Sequence, residues 1–153
     1  MNRQLIEDFV NGGHQLVDAY RGLTVEQLLA VPIPGSWSLQ QIAIHLLESD
    51  LIAADRMKRI ATMDRPLLIG YDETAFSHLP GVNDLDAQKA CELFAIHREM
   101  LAVVLRKLPD ESFERFGIHN ESGKVTLAEM VARYIKHLDG HLVHVARKKL
   151  LVS

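Results

Sequence analysis

A chain of 153 residues that is 48% apolar and carries a formal net charge of −3 has the length of one domain and enough apolar material to bury a core. The composition excludes a disordered chain, and it offers no basic excess for nucleic acid or an anionic membrane. A single cysteine, Cys91, excludes an internal disulfide, and no apolar run approaches the ~18 residues of a membrane span. The expectation is therefore one soluble domain over residues 1–153 in a reducing, cytoplasmic compartment. The start Met1-Asn-Arg-Gln-Leu-Ile-Glu-Asp agrees, with acids where a signal peptide would have its apolar core.

The first helix is predicted over about Arg3 to Arg21. Leu5, Phe9, Leu16 and Tyr20 fall at helical spacing, and Ile6, Val10 and Val17 widen the stripe. Gly12-Gly13 in its middle costs about 1 kcal/mol per glycine relative to alanine, which points to a close helix contact or a bend. Gly22 ends the helix. Thr24-Val-Glu-Gln27 is a capping box for a short helix from Val25 to Ala30. Pro32-Ile-Pro34-Gly35 is a rigid connector. Ser38 with Gln41 makes a second capping box, opening a helix that should reach about Thr62 with Leu39, Ile42, Leu46 and Ala53 on one face and His45 near its edge. Asp64-Arg-Pro66 breaks it.

The next stretch, roughly 20 residues to Asn83, reads as a loop, and Tyr71 and Phe76 make it one that packs over an end of the bundle. A third long helix follows from about Leu85 to Leu108, capped by Asn83 or Asp84 and stopped by Pro109. Its stripe is Cys91, Phe94, Arg98, Leu101 and Leu105. In the connector from Asp110 to Lys124 a short hairpin fits, turning at Asn120-Glu-Ser-Gly123. Thr126-Leu-Ala-Glu129 is a third capping box. The last helix then runs to about Leu150 with Leu127, Met130, Val131, Tyr134, Leu138, Leu142 and Val145 as its apolar side. Four long helices without an internal repeat argue for an all-α four-helix bundle whose faces cover one another, leaving no spare apolar stripe.

Eight histidines are the compositional oddity. His137 and His141 are four residues apart, on one face of the last helix and one turn from each other, so one divalent metal could take a ring nitrogen from each. His144 returns to that face two turns after His137. The best candidate for a further ligand is His45, on a second amphipathic helix. Three neutral imidazoles leave a metal open positions, which is the catalytic rather than the structural pattern. Such a metal activates water or a thiol. Chance pairs at His-x-x-x-His spacing are common, so the spacing alone does not separate ligands from ordinary half-buried histidines.

Several segments taken together resemble the DinB/YfiT superfamily. They are Pro34-Gly-Ser-Trp37-Ser38-Leu followed by His45-Leu-Leu, then Tyr71-Asp-Glu-Thr-Ala-Phe, then Thr126-Leu-Ala-Glu-Met, and last Tyr134-Ile-Lys-His137-Leu-Asp-Gly-His141-Leu-Val-His144-Val. The resemblance implies an up-down-down-up bundle, often a dimer, with a metal, usually zinc or nickel, on residues matching His45, His137 and His141. It also implies a small-molecule substrate. Members of known activity are thiol-dependent: S-transferases using a low-molecular-weight thiol such as bacillithiol or mycothiol, and a mycothiol-dependent isomerase. Others are called metal-dependent hydrolases. The leading reading is thus an enzyme in which His144 or Glu48 handles protons, with a non-catalytic, stress-related metal-binding bundle as the competitor. Trp37 and Tyr71 read as packing residues that could also line a cleft. Asp139, about 200° around the helix from His137, should point away. Cys91 reads as a buried small residue, and His14, His78, His97 and His119 as ordinary.

Overall fold

The computed structural model describes residues 2–153. Among the described residues six α-helices form: α1 (Asn2–Tyr20), α2 (Val25–Leu29), α3 (Leu39–Thr62), α4 (Glu73–Ser77), α5 (Ala87–Leu105) and α6 (Leu127–Val152). Three short strands, β1 (Leu67–Leu68), β2 (Phe116–His119) and β3 (Gly123–Thr126), make one small sheet. No described helix is long and apolar enough to cross a membrane.

The three capping boxes all form. Thr24, Ser38 and Thr126 each accept from the backbone three residues on, and Gln27, Gln41 and Glu129 reach back to the cap. α5 is the exception to its expected bounds. Val82–Asp84 coils into a 3₁₀ turn after Gly81, whose φ of +91° favours glycine, so neither Asn83 nor Asp84 is free to cap. Asp86 caps instead, accepting from the Lys89 backbone, and the helix stops at Leu105, three residues short of the expected end. The stretch before α5 is ordered. β1 lies parallel to β2, which pairs antiparallel with β3 in the expected hairpin, and Asp72 caps α4.

Side-chain contacts fix the helix directions. Gly12 faces Leu138, and Lys149 donates to the Ala19 carbonyl, so α1 and α6 run the same way. Arg98 reaches the Phe9 carbonyl while Arg106 pairs with Glu7, so α5 opposes α1. Arg98 meets Asp50 and Gln40 meets the Leu85 carbonyl, so α3 runs with α5; Arg56 meets Tyr134 and His45 meets His137, so α3 opposes α6. The bundle is therefore up-down-down-up. α1 and α3 each pack on both α5 and α6, which leaves the long α3–α6 seam to hold side chains from both.

Two apolar clusters fill the bundle, one around Phe9, Met57, Leu101 and Val131, the other around Leu16, Leu46, Phe94 and Leu138. Gly13 explains the double glycine: a Cβ there would lie 2.9 Å from the Ala95 Cα. Gly13→Ala gains helix propensity yet forces α1 off α5, and its net effect on urea unfolding is expected to be a loss of about 1–2 kcal/mol. The coverage of apolar faces is incomplete, contrary to expectation. Leu93, Ile96, Met100 and Val103 on α5 are each about half exposed or more, because α5 spends its inward face on both α1 and α3 while its remaining surface is also apolar.

Candidate metal centre

Ser38 starts α3 so that His45 sits two turns in, facing α6. Its ring is 2% exposed and packs edge-on against Trp37, centroids 4.9 Å apart. Trp37 therefore walls the site. Opposite it, His137 and His141 are half-buried. The Nε2 of His137 is 3.1 Å from the Nε2 of His45 and 3.2 Å from that of His141. One ligand atom from each of the three rings lies within 4.8 Å of the others.

Two contacts meet at one nitrogen, and a single proton on His137 Nε2 can serve only one of them. A cation serves both. Nitrogens each about 2.05 Å from a tetrahedral zinc stand about 3.3 Å apart, close to the two separations at His137, and the third pair lies within 4.8 Å, so the residues fit a divalent metal. Burial, then the charges of His137 and His141, pushes His45 down to about 3. Burial, then His137 and His144, pushes His141 down to about 4. His137 is lowered by burial and by Arg98, against Asp50. All three rings are thus neutral at physiological pH, the form that ligates metal. Among the described residues His141 Nδ1 is buried without a partner, so this ring lacks the outer hydrogen bond that usually orients a ligand histidine.

His144 is exposed, its ring 6.5 Å from that of His141. Glu48 forms no ion pair with any described histidine, although burial raises its carboxyl. The carboxylate at the cluster is Glu73, its Oε2 4.0 Å from His45 Nε2 and its carboxyl raised chiefly by burial, with Arg56 opposing. Glu73 lies in the first turn of α4, held by the Asp72 cap in a stretch with no helical period to betray it. Tyr71 packs on Phe76, and burial pushes its hydroxyl up to about 12. Cys91 is buried and pushed up to about 12, an inert thiol. Asp139 is exposed.

His97 is not ordinary. Its Nδ1 lies 3.1 Å from Asp50 Oδ2, and Asp50 Oδ1 accepts from Arg98 Nε at 2.9 Å, with Asp50 and Arg98 each 1% exposed. Arg98 also donates to the carbonyls of Phe9 and Tyr134 and lies between the Phe9 and Phe94 rings. This layer braces α6 one turn before His137. Two surface grooves of about 560 and 550 Å³ lie away from the three histidines and gather no comparable set of ligands.

An up-down-down-up helical bundle with three histidines converging across its α3–α6 seam defines a class of proteins suited to one divalent metal. The DinB superfamily profile matches residues 9–145, and the chain belongs to that superfamily. A relative from Oceanobacillus iheyensis is 31% identical over 124 residues, 80% of this chain and 71% of the relative. YfiT of Bacillus subtilis is 27% identical over 132 residues, 86% of this chain and 74% of YfiT. Both are provisionally named metal-dependent hydrolases. The solved structure of YfiT, described as a probable metal-dependent hydrolase with an unusual four-helix bundle topology, matches at a TM-score of 0.90 and 25% identity, covering 96% of this chain and 85% of YfiT. A mycothiol-dependent maleylpyruvate isomerase shares the fold at a TM-score of 0.74 and 11% identity, covering 94% of this chain and 60% of the isomerase.

Proposed function

We propose that this chain is a divalent-metal-dependent enzyme, with zinc or nickel held by His45, His137 and His141 and with a low-molecular-weight thiol or water as its nucleophile toward a small-molecule substrate. The convergence of three neutral Nε2 atoms at His137 carries the proposal. When bound, such a metal supplies a Lewis acid that brings the ionisation of a thiol or of water close to neutral pH. The chain supplies the rest. Trp37 shields one side of His45 from water. Glu73 Oε2 accepts the proton that the nucleophile gives up, and its burial-raised carboxyl suits that task better than an ordinary surface acid. Cys91, inert and unpaired, is compatible with work in the cytoplasm.

The names of the relatives favour hydrolysis and the thiol-dependent members of the superfamily favour transfer. The assay that separates them offers metal-loaded protein a generic electrophile with a panel of low-molecular-weight thiols, beside an activated ester with no thiol. Product in neither would replace the enzyme reading with a metal-binding protein that does no chemistry. Glu73→Gln is expected to lower turnover at neutral pH by about 10²-fold or more with metal content unchanged. Unchanged turnover would move the proton to another group, with His144 first in line.

A further inference from the structure

We propose that Arg56, Tyr71 and Ser49 form a carboxylate-binding subsite beside the three histidines, which anchors an acidic substrate or thiol. The proposal rests on the histidines being a catalytic centre, and it names the class of molecule that centre takes.

Two buried arginines are treated differently in this bundle. Arg98 has Asp50, two carbonyls and two aromatic faces. Arg56, 8% exposed, has only neutral partners: Nη1 donates to the Tyr134 hydroxyl at 3.1 Å and Nη2 to the Ile69 carbonyl at 2.6 Å. Its Nε is buried with no partner, and among the described residues no carboxylate pairs with it. A buried guanidinium left without an anion is costly, by several kcal/mol for an uncompensated charge. The Tyr71 hydroxyl is a second buried donor, with the Ser49 hydroxyl beside it but no well-formed hydrogen bond among the described residues. The buried Ser49 hydroxyl neighbours both the Tyr71 and Tyr134 phenols.

These groups sit against the candidate metal centre. Tyr134 is one turn before His137, with ring centroids 5.9 Å apart, and Tyr71 is two residues before Glu73, whose carboxylate reaches His45. Glu73 feels the Arg56 charge without pairing with it. An incoming carboxylate would give Arg56 Nε and the Tyr71 hydroxyl an acceptor together. A planar carboxylate matches the edge of a guanidinium in a way that an ammonium or a neutral amide cannot.

The test is calorimetric titration of the full chain, metal-free and zinc-loaded, with 3-mercaptopropionate and 6-mercaptohexanoate, each beside its neutral amide. At least one acid is expected to bind about tenfold more tightly than its amide in both forms. Arg56→Met should abolish that preference. Arg56→Lys, which keeps the charge and protects folding, should lose most of it. Tyr71→Phe should reduce the preference about threefold while raising the melting temperature of the free protein, because it deletes a buried hydroxyl that makes no well-formed hydrogen bond. Equal binding of acid and amide, or a preference that survives both Arg56 variants, would overturn the subsite. So would Tyr71→Phe that lowers the melting temperature and leaves the preference intact, as expected if a buried water alone fills the gap. Failure of the metal reading looks different: the acid preference persists, but zinc strengthens the binding of neither acid nor amide.

Discussion

Asp50→Ala is expected to remove about 3–5 kcal/mol of unfolding free energy, more than truncation of an ordinary surface side chain would. Among the described residues Asp50 is the sole carboxylate paired with Arg98, and both are almost fully buried. Removing it leaves a guanidinium in the bundle interior hydrogen-bonded only to the Phe9 and Tyr134 carbonyls and stacked on the Phe9 and Phe94 rings, with the exposed Asp139 carboxylate acting on it without an ion pair. None of these makes the close, buried ion pair that Asp50 makes. For a chain of this size the melting temperature should fall by about 6–20 °C. The paired replacement Asp50→Leu with Arg98→Met should recover much of that loss, because well-packed apolar side chains often equal a buried ion pair in stability. Urea unfolding of the three proteins checks both statements, and a single-variant loss below about 1 kcal/mol would show that the pair is solvated. Because Arg98 also holds the Tyr134 carbonyl, Asp50→Ala should in addition weaken metal retention by loosening the turn that carries His137.

His45→Ala is expected to act in two opposite directions. Changes merely supporting a ligand histidine typically weaken metal affinity by about 10–100-fold, so loss of the ligand itself should exceed about 100-fold and take turnover down with it. In the metal-free protein the same change should improve tolerance of acid. Burial and the two neighbouring rings hold His45 at about 3, against an ordinary value of 6.5. Between those values the unfolded chain binds a proton that the folded chain does not, so stability rises with pH across this window. The contribution is complete above about pH 6.5 and is lost as pH falls toward 3, at a rate of at most about 1.4 kcal/mol per pH unit. His141, held at about 4, acts in the same direction. Urea unfolding of metal-free protein between pH 7 and 4 should therefore show a shallower decline for His45→Ala than for the wild type. Parallel declines would mean that His45 is solvated enough to titrate normally.

The long helices were legible in the sequence because their signals are local. Ser38 and Thr126 announce their caps within four residues, as Thr24 does for the short α2, and the stripes of α1, α3 and α6 repeat at helical spacing. What the sequence hid depends on distant partners. β1 is two residues long and exists because the Pro66 and Leu68 carbonyls accept from Ile118 and Asn120, fifty residues away in the chain. Asp86 rather than Asp84 caps α5 because a 3₁₀ turn uses the earlier residues, and acids at both positions make the two starts look alike in sequence.

The three histidines could be gathered from spacing and superfamily resemblance; the resemblance also included the Tyr71-Asp-Glu-Thr-Ala-Phe segment, but nothing in it singled out Glu73 as the carboxylate that meets the rings. It sits on a five-residue helix that reaches the rings only after the loop folds onto α3. The Asp50–Arg98 layer did leave a trace. Arg98 stands in the apolar stripe of α5, and Asp50 falls between Leu46 and Ala53 on the inward face of α3. A charge at a core position on each of two helices is the pattern of a buried pair. The exposed α5 stripe was harder to anticipate, since an apolar residue count does not say which face of a helix its neighbours will cover.

The most direct measurement is the metal content of the purified protein by plasma mass spectrometry, wild type beside His137→Ala. His137 is the ring whose Nε2 meets both of the others, so it is the ligand whose loss should empty the site. The expected result is about one equivalent of zinc or nickel per chain in the wild type, as three ligands converging on one point imply, and a loss of nearly all of it in the variant. A wild type that holds no metal after incubation with zinc, nickel and manganese, or a variant that holds as much as the wild type, would contradict a metal centre on His45, His137 and His141.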